Sequence, residues 1–151
     1  MQLIKSFKID HTVLEPGFYI SDQKDGVVTY DLRFCRPNAG GYLSVRTIHT
    51  VEHLFAAGIR SGVLGESVLY FGPMGCRTGF YLLIKDTGFE SVLAEVKRVL
   101  DFITNFSGKI PGASEKECGN FRNHDLARAK QECLKYLEII TRAENCGNYP
   151  G

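Results

Sequence analysis

The chain has 151 residues, 44% hydrophobic and 23% charged, with a formal net charge of +1. That length suits one domain whose core needs no disulfide or structural metal as a staple, and charges that nearly cancel offer no basic field for nucleic acid or an anionic membrane. Five cysteines, an odd number, argue against a closed disulfide framework and for a reducing compartment.

The first ten residues, Met1-Gln-Leu-Ile-Lys-Ser-Phe-Lys-Ile-Asp10, alternate apolar and polar side chains and contain no apolar signal-peptide core. Residues 3–9 are therefore expected to form a strand of a cytoplasmic protein, and no window approaches a membrane span. Residues 17–21 and 27–35 are β-branched or aromatic runs, with Asp25-Gly26 as the turn between them. Residues 47–57 hold neither Pro nor Gly and predict a helix ending near Gly58. A second strand pair is expected at 66–71 and 80–85, joined through Gly72-Pro-Met-Gly-Cys-Arg-Thr-Gly79, which is too rich in Gly for regular structure.

Val92, Leu93, Val96, Val99, Leu100 and Ile103 step at helical spacing and mark an amphipathic helix. A polar loop over 107–120 carries Cys118. The last helix is expected at 125–143, with Leu126, Leu134, Leu137 and Ile140 inward and Cys133 a small core residue on the same stripe. The tail, 145–151, reads as loop, and Cys146 has no readable role. Strands mixed with helices without regular alternation indicate an α+β fold, a mainly antiparallel sheet packed by helices, as one domain over 1–151.

The helix at 47–57 holds Thr47-Ile-His-Thr-Val-Glu-His53, an H-x-x-E-H pattern. His49 and His53, four residues apart, stack on one helix face at the spacing two imidazoles need to grip one ion, with Glu52 beside them. Such a pair also arises by chance or in packing, but the chain has only four histidines, and two fall around one glutamate. Catalytic metal sites commonly use three protein ligands and leave a position open. Glu52, His11, His124 and a cysteine are the candidates for the third, and Cys118 sits in a Gly-flanked loop free to bring a thiolate to a metal.

Five segments in order carry a family resemblance: Ser6-Phe-Lys-Ile-Asp-His11, Asp31-Leu-Arg-Phe-Cys35, the H-x-x-E-H helix, Gly72-Pro-Met-Gly-Cys-Arg-Thr-Gly-Phe80 and Cys118-Gly-Asn-Phe-Arg-Asn-His-Asp-Leu126. Across essentially its whole length the sequence resembles the S-ribosylhomocysteine lyases, small iron enzymes that make the precursor of autoinducer-2. The resemblance implies that His49, His53 and Cys118 are metal ligands, Glu52 and Cys76 general acid/base groups, and Ser6, His11, Arg33 and Arg60 substrate-binding residues. It also implies one Fe(II) per subunit, with Zn(II) or Co(II) as substitutes, and a homodimer in which the N-terminal strand reaches a partner's site.

The implied reaction splits S-ribosylhomocysteine into homocysteine and 4,5-dihydroxy-2,3-pentanedione. Elimination of the thiol needs a carbonyl beside the carbon that loses a proton, so the carbonyl must migrate along the sugar while bases remove and return protons. Cys76 is then expected to be partly thiolate, favoured by a nearby cation and Gly-rich backbone N–H groups. The chain departs from the pattern at Tyr70, where many members carry aspartate, which points to a shifted substrate affinity. H-x-x-E-H is also the motif of inverted zinc peptidases, much larger enzymes with no role for Cys76 or Cys118. A non-catalytic metal-binding protein is the third reading.

Overall fold

A computed structural model describes residues 1–150. Its elements are β1 (Gly17–Lys24), β2 (Val27–Arg33), α1 (Val45–Arg60), β3 (Val68–Pro73), β4 (Gly79–Lys85), α2 (Phe89–Thr104), α3 (Leu126–Thr141) and a short β5 (Cys146–Gly147). The strands form one sheet in the order β3-β4-β2-β1-β5, antiparallel except for the parallel β1–β5 pair, and the fold is α+β as expected. Asp25 and Gly26 both take positive φ, 54° and 79°, which is what a tight hairpin turn between twisted strands demands. No helix among the described residues is long and apolar enough to cross a membrane.

Strand alternation divides the sheet into two unlike faces. Phe18, Tyr30, Leu32, Phe80, Leu82 and Ile84 point into the core, where they meet Val51, Leu54 and Phe55 of α1, Val96, Val99 and Leu100 of α2, and Cys133, Tyr136 and Ile140 of α3. Each such side chain, fully buried, contributes about 1.5–3 kcal/mol. The opposite face carries Tyr19, Thr29, Asp31, Arg33, Tyr70 and Tyr81, and there Asp31 and Arg33 are 0% and 2% exposed although charged.

Ser44 caps α1, its hydroxyl accepting Thr47 N–H at 3.2 Å, and Asp125 caps α3 by accepting Arg128 N–H at 2.9 Å. The structure corrects three expectations. Residues 3–9 form no strand: residues 5–7 make one 3₁₀ turn, exposed or half-buried throughout. Alternation alone supplies no partner strand, and the segment instead closes on itself, with Phe7 N–H donating to Ile4 O and Lys8 N–H to Lys5 O, each at 3.0 Å. The helix ends at Arg60, close to the expected Gly58, where a Cβ would lie 2.9 Å from Val99 Cγ1 and press α1 against α2. Leu134 is 44% exposed, because it lies about 100° around α3 from the buried Cys133. The tail is not all loop, since Cys146 and Gly147 pair with β1.

Candidate functional site

His49, Glu52 and His53 are half-buried along the margin of the apolar stripe of α1. Each imidazole is aimed by a carbonyl of the long segment between α2 and α3: His49 Nδ1–H donates to Asn123 O and His53 Nδ1–H to Pro111 O, both at 2.8 Å. A carbonyl only accepts, so both rings carry the proton on Nδ1 and present an Nε2 lone pair. Cys118 Sγ lies 3.3 Å from His49 Nε2 and 3.9 Å from His53 Nε2, and the three donor atoms all lie within 4.8 Å of one another.

A tetrahedral ion at about 2.0–2.1 Å from nitrogen and about 2.3 Å from sulfur sets its donors roughly 3.3–3.8 Å apart. Two imidazoles and a thiol, with the sulfur 3.3 and 3.9 Å from the two nitrogens, come close to that spacing and suit a divalent ion of intermediate softness. The loop is shaped for this. Cys118 N–H donates to Ser114 O at 3.0 Å, Asn120 N–H approaches the sulfur at 3.5 Å, and Gly112 turns beneath His53 with φ of 70°. A Cβ at Gly112 would lie 3.3 Å from His53 Nδ1.

None of the other candidate ligands joins the three converging donor atoms. His124 stacks on His49, ring centroids 4.1 Å apart, with Nδ1 3.0 Å from Thr50 Oγ1 and Nε2 buried without a partner among the described residues. Burial, then the neighbouring His49 and His53, push it down to about 4, so it is neutral at ordinary pH and serves as a wall against His49. His11 Nδ1–H is occupied by Ile9 O at 2.8 Å. Glu52 is hydrogen-bonded to none of the described residues, leaving its carboxylate available.

A second group gathers at the end of β2. Arg33 Nη2 donates to Asp31 Oδ2 at 2.6 Å, while Nη1 donates to Thr78 Oγ1 at 2.8 Å and stands 3.9 Å from Cys76 Sγ. Thr78 Oγ1 is 3.1 Å from the same sulfur. The exposed Cys76 thiol is thus backed by a buried guanidinium and a hydroxyl. The turn holding Cys76 is tied to the entry of α1, as Leu43 N–H donates to Arg77 O at 3.0 Å.

The remaining sequence candidates lie elsewhere. Ser6 lines a cleft of about 400 Å³ on the outer sheet face with Ser21, Thr29, Tyr70 and Tyr81. Tyr70 is 52% exposed there. Arg60 ends α1 and donates to Val68 O at 3.4 Å. Sequence reasoning missed Asp31, Thr78 and Tyr149, whose phenol donates to Asp31 Oδ2 at 2.6 Å. Asp31 and Arg33, two apart on a strand, share a face by alternation, so that pair had a signal; the contact from Tyr149 had none.

Comparison with known proteins gives one answer. The family model described as S-ribosylhomocysteinase (LuxS) matches residues 4–147. An S-ribosylhomocysteine lyase of Borreliella burgdorferi (strain ZS7) is 47% identical over 146 residues, covering 93% of this chain and 93% of that protein. The lyase of Finegoldia magna is 43% identical over 145 residues, 93% of this chain and 92% of its own. That of Clostridium acetobutylicum is 36% identical over 158 aligned positions, 99% of each chain.

Proposed function

The chain belongs to the S-ribosylhomocysteinase (LuxS) family of carbon–sulfur lyases, and from that premise we propose a metal-dependent cleavage of S-ribosylhomocysteine to homocysteine and 4,5-dihydroxy-2,3-pentanedione, carried out by residues 1–151 as one catalytic unit. The observation that carries this reading is the convergence of His49 Nε2, His53 Nε2 and Cys118 Sγ within 4.8 Å, with Glu52 on the same helix.

His49, His53 and Cys118 hold the metal. When bound, a divalent ion supplies Lewis acidity at the sugar's carbonyl and hydroxyl oxygens. Glu52 takes a proton from one sugar carbon and returns it to the next, and Cys76 is the second proton carrier. The Arg33 guanidinium, 3.9 Å from Cys76 Sγ, steadies the thiolate form, and the Thr78 hydroxyl can donate to it. Once the carbonyl stands beside the carbon next to the C–S bond, loss of that carbon's proton expels the homocysteine thiolate.

The metal in the cell is Fe(II), one per subunit; two imidazoles and a thiolate accept Zn(II) or Co(II) as well, so availability decides. The protein is a cytoplasmic homodimer. Leu3, Ile4, Phe7, Leu69 and Tyr70 leave apolar surface on the N-terminal segment and outer sheet face, which supports a second copy packing there and lending its Ser6 and His11 to substrate, with Arg33 and Arg60 as further substrate-binding groups. A monomer by light scattering at assay concentration would undo the shared site. Tyr70, in place of a carboxylate, shifts the affinity for substrate.

The test is homocysteine release by anaerobically purified, Fe(II)-loaded protein beside Glu52→Ala and Cys76→Ala. Release by wild type that each substitution abolishes is expected. No release from protein shown to carry metal would overturn the reading.

A further inference from the structure

The C-terminal tail, silent in the sequence, is docked onto the pocket behind Cys76. Cys146 and Gly147 pair with Phe18 and Tyr19 of β1, and Asn145 Nδ2 donates to Ile139 O at 2.8 Å. This delivers Tyr149 to the outer sheet face, where its ring packs on Tyr19 with centroids 5.2 Å apart. Its phenol donates to Asp31 Oδ2, the same oxygen that receives Arg33 Nη2. Asp31 Oδ1 and Arg33 Nε have no partner among the described residues.

Asp31 is fully buried, and its donors are one guanidinium and one phenol. Arg33 is divided in turn: Nη2 serves Asp31, while Nη1 serves Thr78 and faces Cys76. The carboxylate and the thiol therefore compete for one positive charge. A donor to a carboxylate takes up part of its charge through a short charge-assisted bond. Burial, then the Asp31 carboxylate, push the Tyr149 phenol far above its ordinary range, so it remains a donor.

We propose that Tyr149 is a positioning residue for Arg33: by sharing Asp31, it leaves the guanidinium free to hold Thr78 and face Cys76. Without the phenolic hydroxyl, a buried carboxylate leans on Arg33 alone and draws it inward, away from the sulfur. The consequence for turnover rests on the reading of Cys76 as a proton carrier; the consequence for thiol reactivity does not.

Tyr149→Phe keeps the ring on Tyr19 and removes only the hydroxyl. Two quantities separate the outcomes: the rate of Cys76 alkylation by iodoacetamide at pH 7, followed by peptide mass spectrometry without substrate, and kcat and KM for homocysteine release. Alkylation is expected to slow about threefold to tenfold, as loss of part of a charge-assisted hydrogen bond implies, and kcat to fall with it while bound metal stays unchanged. Ending the chain after Gly147 should slow alkylation equally. Unchanged alkylation in Tyr149→Phe would overturn the proposal, whether or not the truncated chain is slowed or melts earlier. If wild type releases no homocysteine yet Tyr149→Phe slows alkylation, the lyase reading fails and the coupling stands.

Discussion

The histidine–cysteine triad and the Cys76 pocket are braced in opposite ways. Both triad imidazoles are aimed by backbone carbonyls, Asn123 O and Pro111 O, groups that do not ionise and move only with the chain. Around Cys76 the bracing is side chain on side chain, from Arg33 to Asp31, Thr78 and Tyr149. A carbonyl-braced site holds one geometry, which suits a metal whose donors must stay fixed. A charge-braced site can be tuned from a distance, which suits a thiol that must gain and lose a proton.

Breaking each side should give separable losses. Cys118→Ser, the largest, replaces a soft donor with a weak one and should lower metal affinity by more than about a hundredfold, abolishing homocysteine release; metal analysis after dialysis reads it directly. Arg33→Lys should leave metal content intact but cut kcat about tenfold or more, because a point charge cannot fork between Asp31 and Thr78. Equal loss of metal in that variant would show that the two regions are not independent. Gly112→Ala sharpens the contrast, since a Cβ 3.3 Å from His53 Nδ1 on a backbone at φ of 70° should weaken metal binding several-fold and cost about 1 kcal/mol of stability. Smallest is Tyr136→Phe. It removes the buried bond from Tyr136 Oη to Gly17 O, 2.8 Å long, and should lower stability to urea by about 1 kcal/mol with both sites unaffected.

What the sequence disclosed follows the same division. His49, Glu52 and His53 were legible because helix geometry converts a four-residue spacing into a shared face, and the Asp25-Gly26 turn because few dipeptides accept two positive φ angles. The strand pairs followed from β-branched and aromatic runs bounded by turn residues, and the α2 stripe from its helical period. Residues 3–9 misled because alternation does not by itself supply a strand to pair with. Leu134 misled because the buried stripe of α3 is narrow. Tyr149 was out of reach: it meets Asp31 across 118 positions of chain, and no local pattern encodes a contact made by a docked tail. His124 was visible as a histidine, but its place as a wall against His49 depends on how the loop folds back onto α1.

Turnover is expected to depend on one metal ion held by His49, His53 and Cys118. Titration of Fe(II) into chelator-stripped protein, with bound metal and homocysteine release followed in the same anaerobic sample, tests that claim most directly. Release should rise in proportion to bound metal and level off at one ion per chain, with Cys118→Ser showing neither. Full release from stripped protein, or undiminished binding and release in Cys118→Ser, would contradict it.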